Sequence, residues 1–291
     1  TLMHPAPSVI FFTTFSGLVF GLLAWLGFGM PDVTGWTAFA FFAMAYVMAV
    51  GGLLASTFHL GRPERAIKAF TQWRSSWLSR EGWLAVLTLV VMALYGAGLV
   101  FGGTRIGVLG LIGAALALLT VFATSMIYGQ LKTVPRWKHW ATPPLFLGYA
   151  LAGGTLLAGQ ISAAIVILGL VGLSQIAAWV DQDRAEAASD TTLATATGLG
   201  KIGKVRAFEP PHTGSNYLTN EMCFRVARKH ATTLRIISIG LSVVLPVILL
   251  LLPFGHILAL LAVLSHFTGV LVQRWLFFAE ARHVVGLYYG R

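Results

Sequence analysis

Charge and cysteine are both scarce in this sequence. Asp, Glu, Lys and Arg make up only 10% of the 291 residues, whereas soluble domains carry about 25%. Cys223 is the single cysteine, which excludes an internal disulfide and a cysteine-held iron–sulfur cluster. A Walker loop, a dinucleotide fingerprint, an HExxH pair and a nucleophile elbow are also absent. Because 57% of the residues are hydrophobic, the chain is expected to be a polytopic helical membrane protein.

Eight continuous apolar runs are long enough to cross a hydrocarbon core of about 30 Å as helices. The predicted spans are 8–29, 36–58, 83–101, 106–128, 143–159, 161–180, 232–252 and 256–279. Only Gly159-Gln160-Ile161 separates the fifth span from the sixth, and a single helix there would give seven spans. Such a helix would be about 57 Å long, which favours two spans. The predicted fold is therefore an all-α bundle of eight transmembrane helices that forms one membrane domain over residues 1–291.

Basic residues are distributed very unevenly among the predicted loops. Eighteen Lys and Arg residues fall on one side, in loops 59–82, 129–142 and 181–231 and beside the last two spans, whereas Arg105 alone falls on the other. Because basic loops stay in the cytoplasm, these loops and both termini are expected to be cytoplasmic. The 181–231 loop has no apolar pattern that would give it a core, so it is expected to dock a partner.

Ionisable residues inside predicted spans are candidates for function. Arg274 is the clearest, although it could instead extend to the interface or pair with Glu280. His59 ends the second span, where it could bind a ligand or cap carbonyl groups. His266 lies near the middle of the membrane and is expected to be a packing residue. Because His266 has no partner histidine at its depth, bound haem is not expected.

Aromatic residues and hydrogen-bond donors are concentrated on the basic side of the predicted bundle. The stretch 59–81 contains Trp73 and Trp77, and the stretch 128–143 contains Tyr128 and two further tryptophans. This composition is typical of an aromatic belt at a membrane interface. It also suits a ligand with an amphipathic ring and two carbonyl groups, which describes a quinone. Composition alone leaves both interpretations open.

Several motifs in these stretches are similar to those of one protein family. They are His59-Leu60-Gly61-x-Pro63-x-Arg65-Ala66, Ser79-Arg80-Glu81, Thr133-Val134-Pro135, Trp140-x-Thr142-Pro143, and Arg274 in the last span. With them the chain resembles, over nearly its whole length, the membrane anchor subunits of dimethyl-sulfoxide-reductase-type molybdoenzymes. The first motif is fairly specific, and the others are individually weaker.

The resemblance implies a complex of three subunits in which molybdopterin and iron–sulfur clusters are confined to the two partners. The anchor would exchange electrons between the iron–sulfur subunit and a quinone, ubiquinone or menaquinone, without haem or another metal of its own. In the family, the residues that correspond to His59, Gly61 and Arg65 are tied to quinone binding. Trp77, Tyr128 and Arg274 are expected to complete the pocket, because they lie on the same predicted face.

The segment that runs from Pro211-His212-Thr213-Gly214 to Arg228-Lys229-His230 is similar to anchors of cytoplasm-facing, sulfite-oxidising relatives. The leading expectation is therefore the anchor of a sulfite:quinone oxidoreductase in a bacterial inner membrane. The anchor of a dimethyl sulfoxide reductase, a purely structural anchor and a secondary transporter are the alternatives. The residues expected to dock the partner subunits are Arg62, Arg80, Arg136, His212, Asn216, Tyr217, Arg225 and Arg228.

Overall fold

The computed structural model describes residues 7–58, 63–187, 192–209, 230–253 and 255–284, without the side chains of 55–66 and 187. These residues form helices and no β-strand, so the predicted all-α class is confirmed. The α-helices are α1 (Pro7–Gly27), α2 (Gly35–Phe58), α3 (Trp77–Phe101), α4 (Gly107–Gly129), α5 (Thr142–Leu157), α6 (Ile161–Ala187), α7 (Leu193–Thr197), α8 (Ala231–Leu251) and α9 (His256–Ala279). Two 3₁₀ helices cover Pro63–Phe70 and Leu199–Lys201, and one π-helical turn, Gly240–Val244, interrupts α8.

Among the described residues, seven helices are long and apolar enough to cross a membrane: α1, α2, α3, α4, α6, α8 and α9. The remaining long helix, α5, has 16 residues, a length of about 24 Å at 1.5 Å per residue. A turn at Gly159, whose φ of 67° suits glycine, separates α5 from α6. The single helix over 143–180 is therefore not formed, and the predicted fifth and sixth spans are separate helices.

Two helices extend beyond their predicted apolar spans at the basic end of the bundle. Helix α3 begins at Trp77 rather than at residue 83, and α6 continues to Ala187 rather than ending at residue 180. A helix ends where its backbone hydrogen bonds end, whereas a predicted span ends where its apolar residues end. The predicted loops 59–82 and 181–231 are shorter as a result, and Trp77, Arg80 and Glu81 lie on the first turns of a helix.

Helix α1 is the centre of the bundle and packs against α2, α4, α5 and α9. Its contact with α5 is especially close, because a Cβ atom at Gly21 would overlap the Ala150 carbonyl group and one at Gly154 would overlap the Gly21 backbone. Small residues of this kind let membrane helices approach at backbone distance. The indole nitrogen of Trp25 also donates a 3.2 Å hydrogen bond to the Leu151 carbonyl oxygen. Helix α5 is thus held inside the bundle along most of its length.

Candidate functional site

Arg274 is a buried cation on α9, with only 2% of its surface exposed. Its guanidinium carbon lies 3.6 Å from the ring centre of Phe146 and 5.7 Å from that of Tyr149. Within the described residues, its Nε and Nη1 atoms have no hydrogen-bond acceptor. The side chain does not extend to the interface, and no described carboxylate forms an ion pair with it, Glu280 included. The two structural roles considered for Arg274 from the sequence are therefore not the ones observed.

Glu280 belongs instead to an ionic cluster at the end of the bundle. Arg136 contacts Asp183 at 2.9 Å, Glu186 at 3.0 Å and Glu280 at 3.2 Å. Arg235 contacts Asp183 and Glu280, and Arg282 contacts Glu186. The cluster unites the 130–141 connection with the ends of α6 and α9 and the start of α8. Its three arginines and three carboxylates have no net charge, and therefore the charge of Arg274 is not compensated by it.

A narrow crevice leads from the ionic cluster to Arg274. It lies between α5, α6 and α9, and its cavity of about 20 Å³ has room for about one water molecule. The Gln273 amide donates a 3.0 Å hydrogen bond to Gln175 Oε1, whereas the buried Gln273 Oε1 has no described donor. This Arg274 crevice is lined by Arg136, Thr142, Leu145, Phe146, Gln175, Trp179, Gln182, Gln273, Arg274, Phe277 and Glu280. A buried cation and several amides thus line one crevice with Arg136 and Glu280 of the ionic cluster.

Tyr128 lies on the other side of the aromatic wall of this crevice. Its ring centre is 5.3 to 6.0 Å from those of four aromatic residues, Trp137, Phe146, Phe277 and Phe278. Phe146 therefore contacts both Tyr128 and Arg274, two residues that the sequence predicts for one pocket. The structure brings these two together.

Trp77 occupies a different part of the same end, between α3 and α4. Its ring centre lies 5.8 Å from that of Phe122, and the Arg80 guanidinium lies 4.4 Å above the ring. Arg80 also donates hydrogen bonds to the carbonyl oxygens of Trp73 and Arg74. Of the predicted docking residues, Arg80 thus stabilises the loop that precedes α3, and Arg136 forms ion pairs with the carboxylates of the ionic cluster.

The other predicted site residues have no described side chains, so their positions relative to Arg274 and Tyr128 are not given. His59, Gly61 and Arg62 lie outside the described residues, as does the side chain of Arg65. The same holds for the docking candidates of the long loop, His212, Asn216, Tyr217, Arg225 and Arg228. The 3₁₀ helix Pro63–Phe70 follows the first of these segments directly, and the Trp83 indole nitrogen binds it to α3 by donating to the Phe70 carbonyl oxygen.

Glu81 is a site candidate that the sequence reasoning did not single out. Its side chain is buried on α3, at 5% exposure, where the Thr124 hydroxyl of α4 donates a hydrogen bond to its carboxyl group. The available signal was an ionisable residue within a membrane helix. The sequence includes it in the Ser79-Arg80-Glu81 motif, but an acid near the start of a helix is also what the helix dipole favours, so no role in the site was assigned to it. Glu81 and Arg274 are thus buried ionisable groups at the same end of the bundle.

Comparisons with known proteins agree with the motifs in the sequence. A sulfite dehydrogenase subunit of Allochromatium vinosum is 32% identical to this chain over 325 aligned positions, which cover 99% of each protein. No solved structure matches. The family model described as DMSO reductase anchor subunit (DmsC) matches residues 3–290. The chain therefore belongs to the DmsC family of anchor subunits and is a multi-pass membrane subunit of an oxidoreductase complex.

Proposed function

We propose that this chain anchors a molybdopterin and iron–sulfur complex that oxidises sulfite, and that it passes the electrons to a membrane quinone. The sulfite dehydrogenase relative supports the substrate, because it matches the whole chain. The anchor of a dimethyl sulfoxide reductase is the second candidate, which the family name supports. In either case the substrate reacts in a partner subunit, and this chain contributes the quinone site.

The uncompensated charge of Arg274 is the observation that supports a quinone site best. Burying a charge without a partner costs several kcal/mol, so its retention calls for a ligand that repays this cost. When bound, a quinone accepts two electrons and two protons and becomes more electron-rich as it does so. A guanidinium in a poorly hydrated site stabilises such a ligand far better than one screened by water. Arg274 would therefore bind a quinone oxygen through its Nε and Nη1 atoms.

The surrounding residues suit a ring with an apolar tail. Phe146 and Phe277 form the aromatic wall between Tyr128 and Arg274, and the tail would extend along the exposed apolar side chains of α6. The crevice is narrower than a quinone ring, so the ring enters only when these side chains move apart. In this proposal His59, Gly61 and Arg65 contribute from the loop before α3, and Trp77 supports the α3 and α4 side of the same end. Glu81 would hold a proton near the same end.

Exchanging Arg274 tests this site. Arg274→Gln removes the charge and retains hydrogen-bond donors, and we expect it to lower quinone-linked sulfite oxidation about 10- to 100-fold. Electron transfer from the soluble subunits to an artificial soluble acceptor should remain unchanged. The measurement is the ratio of the two activities in membranes.

Arg105→Gln is the control, because it removes an arginine at the opposite end of the bundle, where Arg105 pairs with Asp32, and leaves the crevice and the ionic cluster intact. It should retain both activities. Full quinone activity in Arg274→Gln would place the site elsewhere. If every variant of Arg274, His59 and Arg65 retained it, the chain would be a structural anchor only.

We also propose eight membrane crossings, with the ionic cluster and both termini in the cytoplasm of a bacterium. This orientation rests on the distribution of basic residues.

The iron–sulfur subunit would then dock at the cytoplasmic end, through the long loop and the exposed basic residues around it. Deletion of residues 211–229 should release the soluble subunits from membranes, as measured by the share that copurifies with this chain. Retention of both subunits at normal stoichiometry would refute this docking role.

A further inference from the structure

The Arg274 crevice has the features of a binding site for a small anion. Arg274 is 2% exposed, and its Nε and Nη1 atoms have no acceptor among the described residues. Because the ionic cluster beside it is neutral and no described carboxylate pairs with Arg274, one positive charge remains unmatched at the inner end of the crevice. Water can accept hydrogen bonds from these two donors, but it cannot compensate the charge. An anion can do both.

The crevice also determines which anion would fit. Its cavity of about 20 Å³ accepts a species of about the size of one water molecule. Chloride is close to this size, whereas a tetrahedral sulfate ion is considerably larger. Gln175 adds a donor, because its oxygen accepts from Gln273 and its NH₂ group is left for another partner. The one carboxylate in the lining, that of Glu280, is paired with Arg136 and Arg235 at 3.2 and 2.7 Å.

We propose that the crevice binds a chloride-sized inorganic anion at Arg274 and Gln175 when no quinone is present. The anion is held by Arg274 Nε and Nη1 and by the Gln175 amide, and it reaches them from the ionic end. It compensates the buried charge between turnovers and leaves when a quinone oxygen takes its place. The competition with quinone rests on the function proposed above, whereas the binding of the anion does not.

Two measurements test this inference on the purified complex. The first is the NMR line width of chloride without quinone, which broadens when the ion binds to a slowly tumbling protein. The second is the apparent KM for quinone as chloride replaces gluconate at constant ionic strength. In the native complex we expect chloride-specific broadening and a several-fold rise in KM at unchanged kcat. Sulfate at the same ionic strength should not raise the KM.

Three variants assign the effect to the crevice. Arg274→Gln should abolish the specific broadening, and Gln175→Leu, which leaves all charges in place, should weaken it several-fold. Arg105→Gln, which leaves the crevice and the ionic cluster unchanged, should broaden chloride as the native complex does. Gln175→Leu keeps the test valid if the loss of Arg274 prevents assembly of the complex.

The possible results separate the anion site from the quinone site. Broadening that depends on Arg274, together with a KM that chloride does not change, would support the anion site and refute the quinone site at Arg274. Chloride broadening that is absent from the native complex, or that survives both crevice variants, would refute the anion site. In that case the quinone site would still be judged by the activity ratio of Arg274→Gln.

Discussion

At the scale of single residues, the bundle accommodates two buried ionisable groups in different ways. Arg274 lies against the face of Phe146, so its charge is stabilised by an aromatic ring rather than by an acid. Glu81 instead accepts a hydrogen bond from Thr124 on the neighbouring helix. A buried polar group that loses its only described partner incurs the cost of desolvation without compensation. The Thr124 hydroxyl should therefore matter more for stability than its size suggests.

Replacing Thr124 measures this contribution. Thr124→Val removes the hydroxyl at nearly constant shape, and we expect a loss of about 1–3 kcal/mol in the free energy of unfolding. Thr268→Val is the control, because Thr268 is exposed and its hydroxyl bonds only to a carbonyl oxygen of its own helix. It should change stability by about 0.5 kcal/mol or less. Thermal unfolding in detergent gives both values, and equal losses would contradict a role for the Glu81 contact.

Sequence reasoning could identify Arg274 but not its surroundings. An arginine within an apolar run is visible in the sequence, as is Glu280 six residues later, and local reasoning offers the two as a pair. Only the folded chain shows that Glu280 forms ion pairs with Arg136 and Arg235, which are distant in sequence, and not with Arg274. The parity of the spans predicts Tyr128 and Arg274 at one end of the bundle, and in the structure both contact Phe146. Glu81 belongs to a motif that the sequence shows, but only the folded chain shows that its carboxyl group is buried against Thr124 of the neighbouring helix.

At the scale of helices, the close contact between α1 and α5 limits which substitutions the bundle can accept. Helix α5, with 16 residues, is the shortest of the eight long helices. Its position depends on backbone contact with α1 at Gly21 and Gly154. The sequence shows these glycines, but it does not show which of its 32 glycines lie at a helix contact. Only the position of the neighbouring helix in the folded chain shows which glycines these are.

Substituting single glycines tests this dependence. Gly154→Ala should destabilise the protein by about 1–3 kcal/mol or more, because the new methyl group overlaps backbone atoms of α1, which cannot move aside. Gly169→Ala on α6 is the matched control, since a Cβ atom there has no other atom within 4 Å. It should cause no loss. Thermal unfolding of the two variants compares them directly, and similar midpoints would mean that α1 and α5 are not in backbone contact.

At the scale of the whole molecule, ion pairs mark the two ends of the bundle. The ionic cluster occupies the end that the basic loops share, whereas the pair of Arg105 and Asp32 joins two connections at the other end. Helices α1 and α5 both begin at the first end. Gly154 contacts Gly21, from which α1 continues for six residues, or about 9 Å, and α5 with its cap continues for about 6 Å. Helix α5 therefore ends close to the level at which α1 ends.

Reporter fusions at three positions test both the orientation and the number of crossings. A reporter after Lys132 should be cytoplasmic, because this position belongs to the basic end, and one after Gly103 should be periplasmic. Gly159 is the decisive position, since it follows α5. A periplasmic signal there means that α5 crosses the membrane and that the chain has eight spans, as its level beside α1 predicts. A cytoplasmic signal at Gly159 with the other two unchanged would make α5 re-entrant. Inverted signals at Lys132 and Gly103 would reverse the orientation and place the quinone site on the periplasmic side.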